Sequence, residues 1–215
     1  MTEWPGWCRA GRDELRALDA LVAYGPRYRP IASLAGLDLV LPDSADGLRI
    51  IERVRSSATT DFGAPARLAV DDTRPLTAPE IDRLARLLVA YWSFFDAVLC
   101  EIPEPARSVQ PEVGRSPAQM RQHLLDADVM HLSAFGPAYR EPPAEAIDRL
   151  EPETRSRLLA AFRSVSPGQA PAPVRRYGFE WTPRFAVRRS AWHALDHAWQ
   201  LQDQFPNAVV ATRPG

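Results

Sequence analysis

Apolar residues recur every three or four positions along several stretches of the chain, and each such stretch predicts a helix. The clearest starts at Thr77-Ala-Pro-Glu80, a capping box whose hydroxyl meets an orphan N–H while Glu80 reaches back. Ile81, Leu84, Leu88, Trp92, Phe95 and Leu99 then form one apolar stripe, which predicts a helix over 78–101. Ser116-Pro-Ala-Gln119 caps the next, over 116–135, with His123, Leu124, Ala127 and Met130 along it and Gly136-Pro137 as its stop. Ile147, Leu150, Leu158, Leu159 and Phe162 predict a third over 144–164, kinked or split at Pro152. Thr182-Pro183 opens the fourth, over 183–205, with Phe185, Trp192, Leu195 and Trp199 along it. The Pro/Ala/Gly-rich segment 166–174 reads as a crossover loop, long enough for the last helix to pack on a non-adjacent neighbour.

The first 76 residues carry a weaker pattern. Leu15, Leu18, Leu21 and Val22 predict a helix from Asp13 to Tyr24, and 47–57 reads as another. Segments 37–42 and 66–70 alternate as short strands do. The expected fold is therefore mainly α, with a mixed N-terminal extension over 1–76 packed on a four-helix bundle over 77–215.

Length and composition narrow the functional classes. A chain of 215 residues can hold a full hydrophobic core without disulfide or metal. The net charge of −1 argues against a dedicated nucleic-acid binder and removes the electrostatic handle for an anionic membrane. The longest apolar run, Leu87 to Trp92, is far too short to span a bilayer. Cys8 and Cys100 form no CxxC pair, and the N-terminus shows no signal-peptide pattern, so a reduced, cytoplasmic protein is expected. All 26 basic residues are Arg, which fits GC-rich coding.

Candidate chemistry centres on the histidines. His193-Ala-Leu-Asp-His197 places two imidazoles one turn apart on one helix face. Such a pair either shares a divalent ion or packs beside core aromatics. His123 lies on the apolar stripe of its own helix, so it should point into the bundle and supply a third nitrogen. Three neutral imidazoles leave coordination positions open, and they suit zinc, nickel, iron or copper. His131, eight residues on, either lies on the surface or lines the rim of that site.

The segment from Phe185 to Asp203, with RR-S-A-WH-A-L-DHAWQ at its centre, resembles the last-helix signature of the DinB/YfiT-like superfamily. His123-Leu-Leu-Asp-Ala-Asp128 resembles the companion segment of its second bundle helix. Thr60-Asp-Phe-Gly-Ala-Pro65 and Tyr91-Trp-Ser-Phe-Phe-Asp96 extend the likeness to the N-terminal half. The resemblance implies a four-helix bundle with His123, His193 and His197 on a divalent metal, zinc first, with nickel, iron or manganese as alternatives. Active members include thiol-dependent transferases and isomerases that use mycothiol or bacillithiol, and the Arg-only composition is compatible with a mycothiol-using bacterium. The chain departs from the pattern at Gln200, Gln202 and Asp128, where the resembling subset has Glu.

A metal held by neutral histidines can lower the pKa of bound water, or deprotonate a bound thiol. Cys100 ends an apolar stripe and is expected to pack as a small hydrophobe, and Cys8 has no His nearby in sequence, so any nucleophilic thiol should come from a cofactor. Arg189 and Gln200 are the candidate catalytic residues and Arg188 the candidate cofactor-binding residue. Arg188 and Arg189 can hold a carboxylate bidentately or form surface ion pairs, and Gln200 can hydrogen-bond substrate. Asp196 suits a supporting or interhelix role. Trp192 and Trp199 suit core packing first and a pocket wall second. The expected function is a thiol-dependent S-transferase or isomerase acting on a small electrophilic substrate. The alternatives are a metal-dependent hydrolase or lyase of specialised metabolism, and a non-catalytic bundle that binds metal or a small molecule. A homodimer is a further expectation.

Overall fold

The computed structural model describes residues 1–54, 57, 59–112, 114–135 and 147–207. Among these, six helices and one two-stranded sheet form a mainly helical protein: α1 Glu14–Leu34, α2 Ala78–Glu101, α3 Glu104–Arg107, α4 Pro117–Phe135, α5 Ile147–Arg163, β1 Val174–Arg176, β2 Phe179–Trp181 and α6 Pro183–Gln204. No helix among them is long and apolar enough to cross a membrane.

The predicted starts hold because each satisfies orphan N–H groups locally. Thr77 accepts from the Glu80 N–H while Glu80 accepts from the Thr77 N–H at 2.8 Å. Ser116 and Gln119 make the same reciprocal pair at the head of α4. Thr182 accepts from the Phe185 N–H, with Pro183 at the first helical position of α6. The expected stop of α4 at Gly136-Pro137, and the first residues of the predicted 144–164 helix, lie outside the described residues. The third predicted helix is present as α5, and it runs through Pro152 without a split.

Helix α2 is the hub. The predicted stripe from Ile81 to Leu99 is buried, and so is a second face bearing Leu87, Tyr91, Phe94 and Val98. A helix apolar on two faces must be covered on both sides, and α2 packs against α1, α5 and α6. Helix α4 contacts α5 and α6, so α2, α6, α4 and α5 close a ring of neighbours. The loop before α6 thus lets the last helix reach the non-adjacent α2 and α4, as expected.

The N-terminal third departs from the sequence reading. Helix α1, capped by Asp13, does not stop near Tyr24 but continues to Leu34 through Pro26 and Pro30. Burial of Tyr28 and Ile31 against the core offsets the backbone bonds that the prolines forfeit. Residues 37–42 and 66–70 form no strand, and 48–54 form no helix. Leu37, Leu39 and Leu41 do alternate toward the core, but no strand among the described residues pairs with them. The sequence reading also missed the β1–β2 hairpin, which turns at Tyr177-Gly178 with both residues at positive φ. Trp7, Tyr28 and Ile31 share one apolar core with α2 and α6.

Candidate metal centre

His123 projects from α4, and His193 and His197 from α6, at the face where these two helices pack. One ring nitrogen from each lies within 4.8 Å of the others. The His123 and His193 Nε2 atoms are 3.1 Å apart, and ring centroids within the set are separated by 4.7–5.3 Å. Two imidazoles sharing a tetrahedral zinc at about 2.05 Å hold their nitrogens roughly 3.3 Å apart, so this pair is already close to ligand spacing.

Burial pushes the pKa of all three imidazoles down, that of His193 furthest; neighbouring histidines add to the lowering at His193 and His197, and the Arg115 charge adds to it at His123. The site is therefore neutral and ready to donate lone pairs near pH 7. His197 Nδ1 lies 3.3 Å from Gln200 Oε1, which assigns the proton to Nδ1 and leaves Nε2 as the lone-pair atom. That Nε2 is buried and has no hydrogen-bond partner among the described residues. A buried acceptor left bare costs free energy unless something meets it, and a metal ion is the group that the donor set fits.

The other candidate residues are sorted by their contacts. Gln200 belongs to the centre, through His197. Arg189 is one turn before His193; its guanidinium donates to the Pro65 carbonyl at 2.8 Å and lies over the Phe179 and Trp192 rings. Arg188 is turned away: it pairs with buried Asp72 and lines a separate cavity of about 360 Å³ beside the N-terminal segment. Asp196 pairs with Arg9 at 3.1 Å, and the Arg9 guanidinium lies over the Tyr24 and Trp199 rings. Trp199 is core, as first expected, whereas Trp192 is only half-buried and stacks on the His193 ring.

Two sequence expectations are corrected. His131 is neither on the surface nor at a rim: it is buried against Trp181. Cys100 does not pack as a small hydrophobe; its position near the end of α2 leaves it exposed, and Cys8 is half-buried. Asp128, a position of departure from the resembling subset, is a buried tie between helices. It accepts from Trp92 Nε1 of α2 at 2.9 Å and from Ser190 Oγ of α6 at 3.0 Å.

Sequence reasoning also missed Arg115, just before the Ser116 cap. Its charge reaches both His123 and His197 and helps to lower their pKa. No periodic pattern marks it, because loop geometry alone brings it there. Compared with protein-family models, curated proteins and solved structures, the chain matches none.

Proposed function

We propose that the chain is a DinB/YfiT-like four-helix-bundle enzyme that holds a divalent metal, zinc first, on His123, His193 and His197. Its reaction is thiol-dependent S-transfer or isomerisation of a small electrophilic substrate. The observation that carries this reading is the convergence of three neutral imidazoles, one with a bare buried Nε2. When bound there, a divalent ion would supply the positive charge that keeps a thiol or water deprotonated near neutral pH.

The chain's own residues supply the rest. His123 from α4 and the His193/His197 pair from α6 offer three donors from two packed helices, so the ligand geometry is preset by the core. Gln200 orients His197 and has no titratable proton, so the acceptor of the thiol proton is bulk solvent or substrate. Half-buried Cys8 and exposed Cys100 lie outside the triad, which favours a thiol brought by a cofactor such as mycothiol.

The test is elemental analysis of purified protein, followed by thermal unfolding with added zinc and turnover assays with and without thiol. The expected result is about one divalent ion per chain and a zinc-dependent rise in Tm. His193→Ala should lose ion, stabilisation and turnover together. Metal-dependent turnover without thiol would move the assignment to a hydrolase or lyase. Metal without turnover would leave a binding bundle, and failure of the wild type to take up metal would end the reading.

A further inference from the structure

The surroundings of the triad supply hydrogen-bond donors with nothing to bond. Trp192 Nε1, on the ring stacked against His193, is buried without a partner among the described residues, and so is Arg189 Nε. The carboxylates nearby are few and engaged. Asp196 is tied to Arg9, and Asp126 accepts from Gln122 at 2.9 Å.

Arg115, near the triad, is a cation without a tie. Among the described residues it makes no hydrogen bond or ion pair, and it is exposed. Its backbone is nonetheless held from both sides. Gln110 donates to the Gly114 carbonyl at 2.9 Å, and Ser116 is locked into the cap of α4. Gly114 has φ +100°, and a Cβ placed on it would stand 3.7 Å from Gln200 Nε2. Gln200 in turn holds His197. The neighbourhood of Gly114 and Gln200, with Gln200 bonded to His197, thus sets Arg115 at the rim of the triad. The effect of its charge on both His123 and His197 agrees with that placement.

Resting on the metal-centre reading, the geometry points to Arg115 as the anchor for a carboxylate on the molecule that binds at the open metal positions. The substrate or thiol class is then a small organic anion, with its reacting atom at the triad and its carboxylate on the Arg115 guanidinium. A guanidinium suits this task because its planar donors meet both carboxylate oxygens. The triad has no carboxylate ligand, so the loaded centre would be cationic, and an anion would be attracted before it docks.

Cobalt-loaded full-length protein tests the assignment through its visible spectrum, independently of turnover. The sulfur-to-cobalt absorption is followed during titration with 3-mercaptopropionate and with 3-mercaptopropanol, thiols of equal length that differ in the carboxylate. Wild type should prefer the acid by about tenfold, the worth of one charge-assisted contact. Arg115→Gln should take up cobalt as wild type does but lose that preference, and Arg115→Lys should recover part of it. A wild type without preference for the acid, or a preference that survives in Arg115→Gln, overturns the assignment and leaves the metal centre standing. A wild type that takes up no cobalt removes the metal-centre reading itself.

Discussion

Asp128 offers the sharpest energetic test, because it joins the two helices that carry the triad to α2. The side chain is 1% exposed. One oxygen accepts from the Ser190 hydroxyl at 3.0 Å, the other from the Trp92 indole at 2.9 Å, and Arg155 Nε stands 4.0 Å away. Ser190 precedes His193 by less than one turn of α6, so this tie lies just beneath the metal ligands. In Asp128→Asn the amide oxygen can still meet Trp92, and its NH2 can donate to Ser190 Oγ. The Ser190 proton is then orphaned, Arg155 loses a nearby charge, and the remaining bond is no longer charge-assisted. That should cost about 1–3 kcal/mol. Asp128→Ala orphans both donors and opens a cavity, so about 3–5 kcal/mol is expected. Urea unfolding reads these values as a lowered midpoint with unchanged slope. At this chain length each kcal/mol is worth about 2–4 °C in Tm. Ser190→Ala combined with Asp128→Ala should cost less than the sum of the single changes, since each alone breaks the same Ser190–Asp128 hydrogen bond. An Asn variant within about 0.5 kcal/mol of wild type, or strict additivity, would refute the tie as an energetic element.

Two further outcomes follow from the centre itself. The folded-state pKa values of His123, His193 and His197 lie below the ordinary imidazole value, so the unfolded chain binds protons first. Metal-free protein should therefore be most stable above about pH 6.5 and lose that stability as pH falls through the lowered folded values. Urea midpoints measured from pH 7.5 downward should fall more steeply for wild type than for His193→Gln, and a midpoint that rises on mild acidification would contradict this. Gln200→Leu removes the acceptor that orients His197 and should weaken metal binding by about 10–100-fold in competition with a chelator. Unchanged affinity would show that Gln200 does not hold the ligand.

The helices of the C-terminal part were legible because their signals are local. Thr77, Ser116 and Thr182 satisfy orphan N–H groups within three residues of themselves, and no distant partner is needed. The His193/His197 pair was legible for the same reason, since helix periodicity alone puts both on one face. His123 needed one more inference, that its apolar stripe faces inward, and packing of α4 on α6 turns that stripe into a meeting with the pair.

What tertiary structure decided is what depends on partners far along the chain. Leu37, Leu39 and Leu41 have the alternation of a strand, but a strand exists only when another backbone pairs with it, and none among the described residues does. Pro26 and Pro30 are helix-breaking residues locally, and α1 passes through them because Tyr28 and Ile31 find the core. Arg188 and Arg189 are neighbours in sequence, yet one pairs with Asp72 and the other with the Pro65 carbonyl near the triad. Arg115 has no motif at all; a loop beside Gln200 brings its charge to histidines far away in sequence. The sequence by itself determined the helices and the ligand types, because capping and periodicity are properties of a few adjacent residues. Which charge reaches the triad was decided by the fold, because electrostatics depends on distance in space and sequence separation does not set that distance.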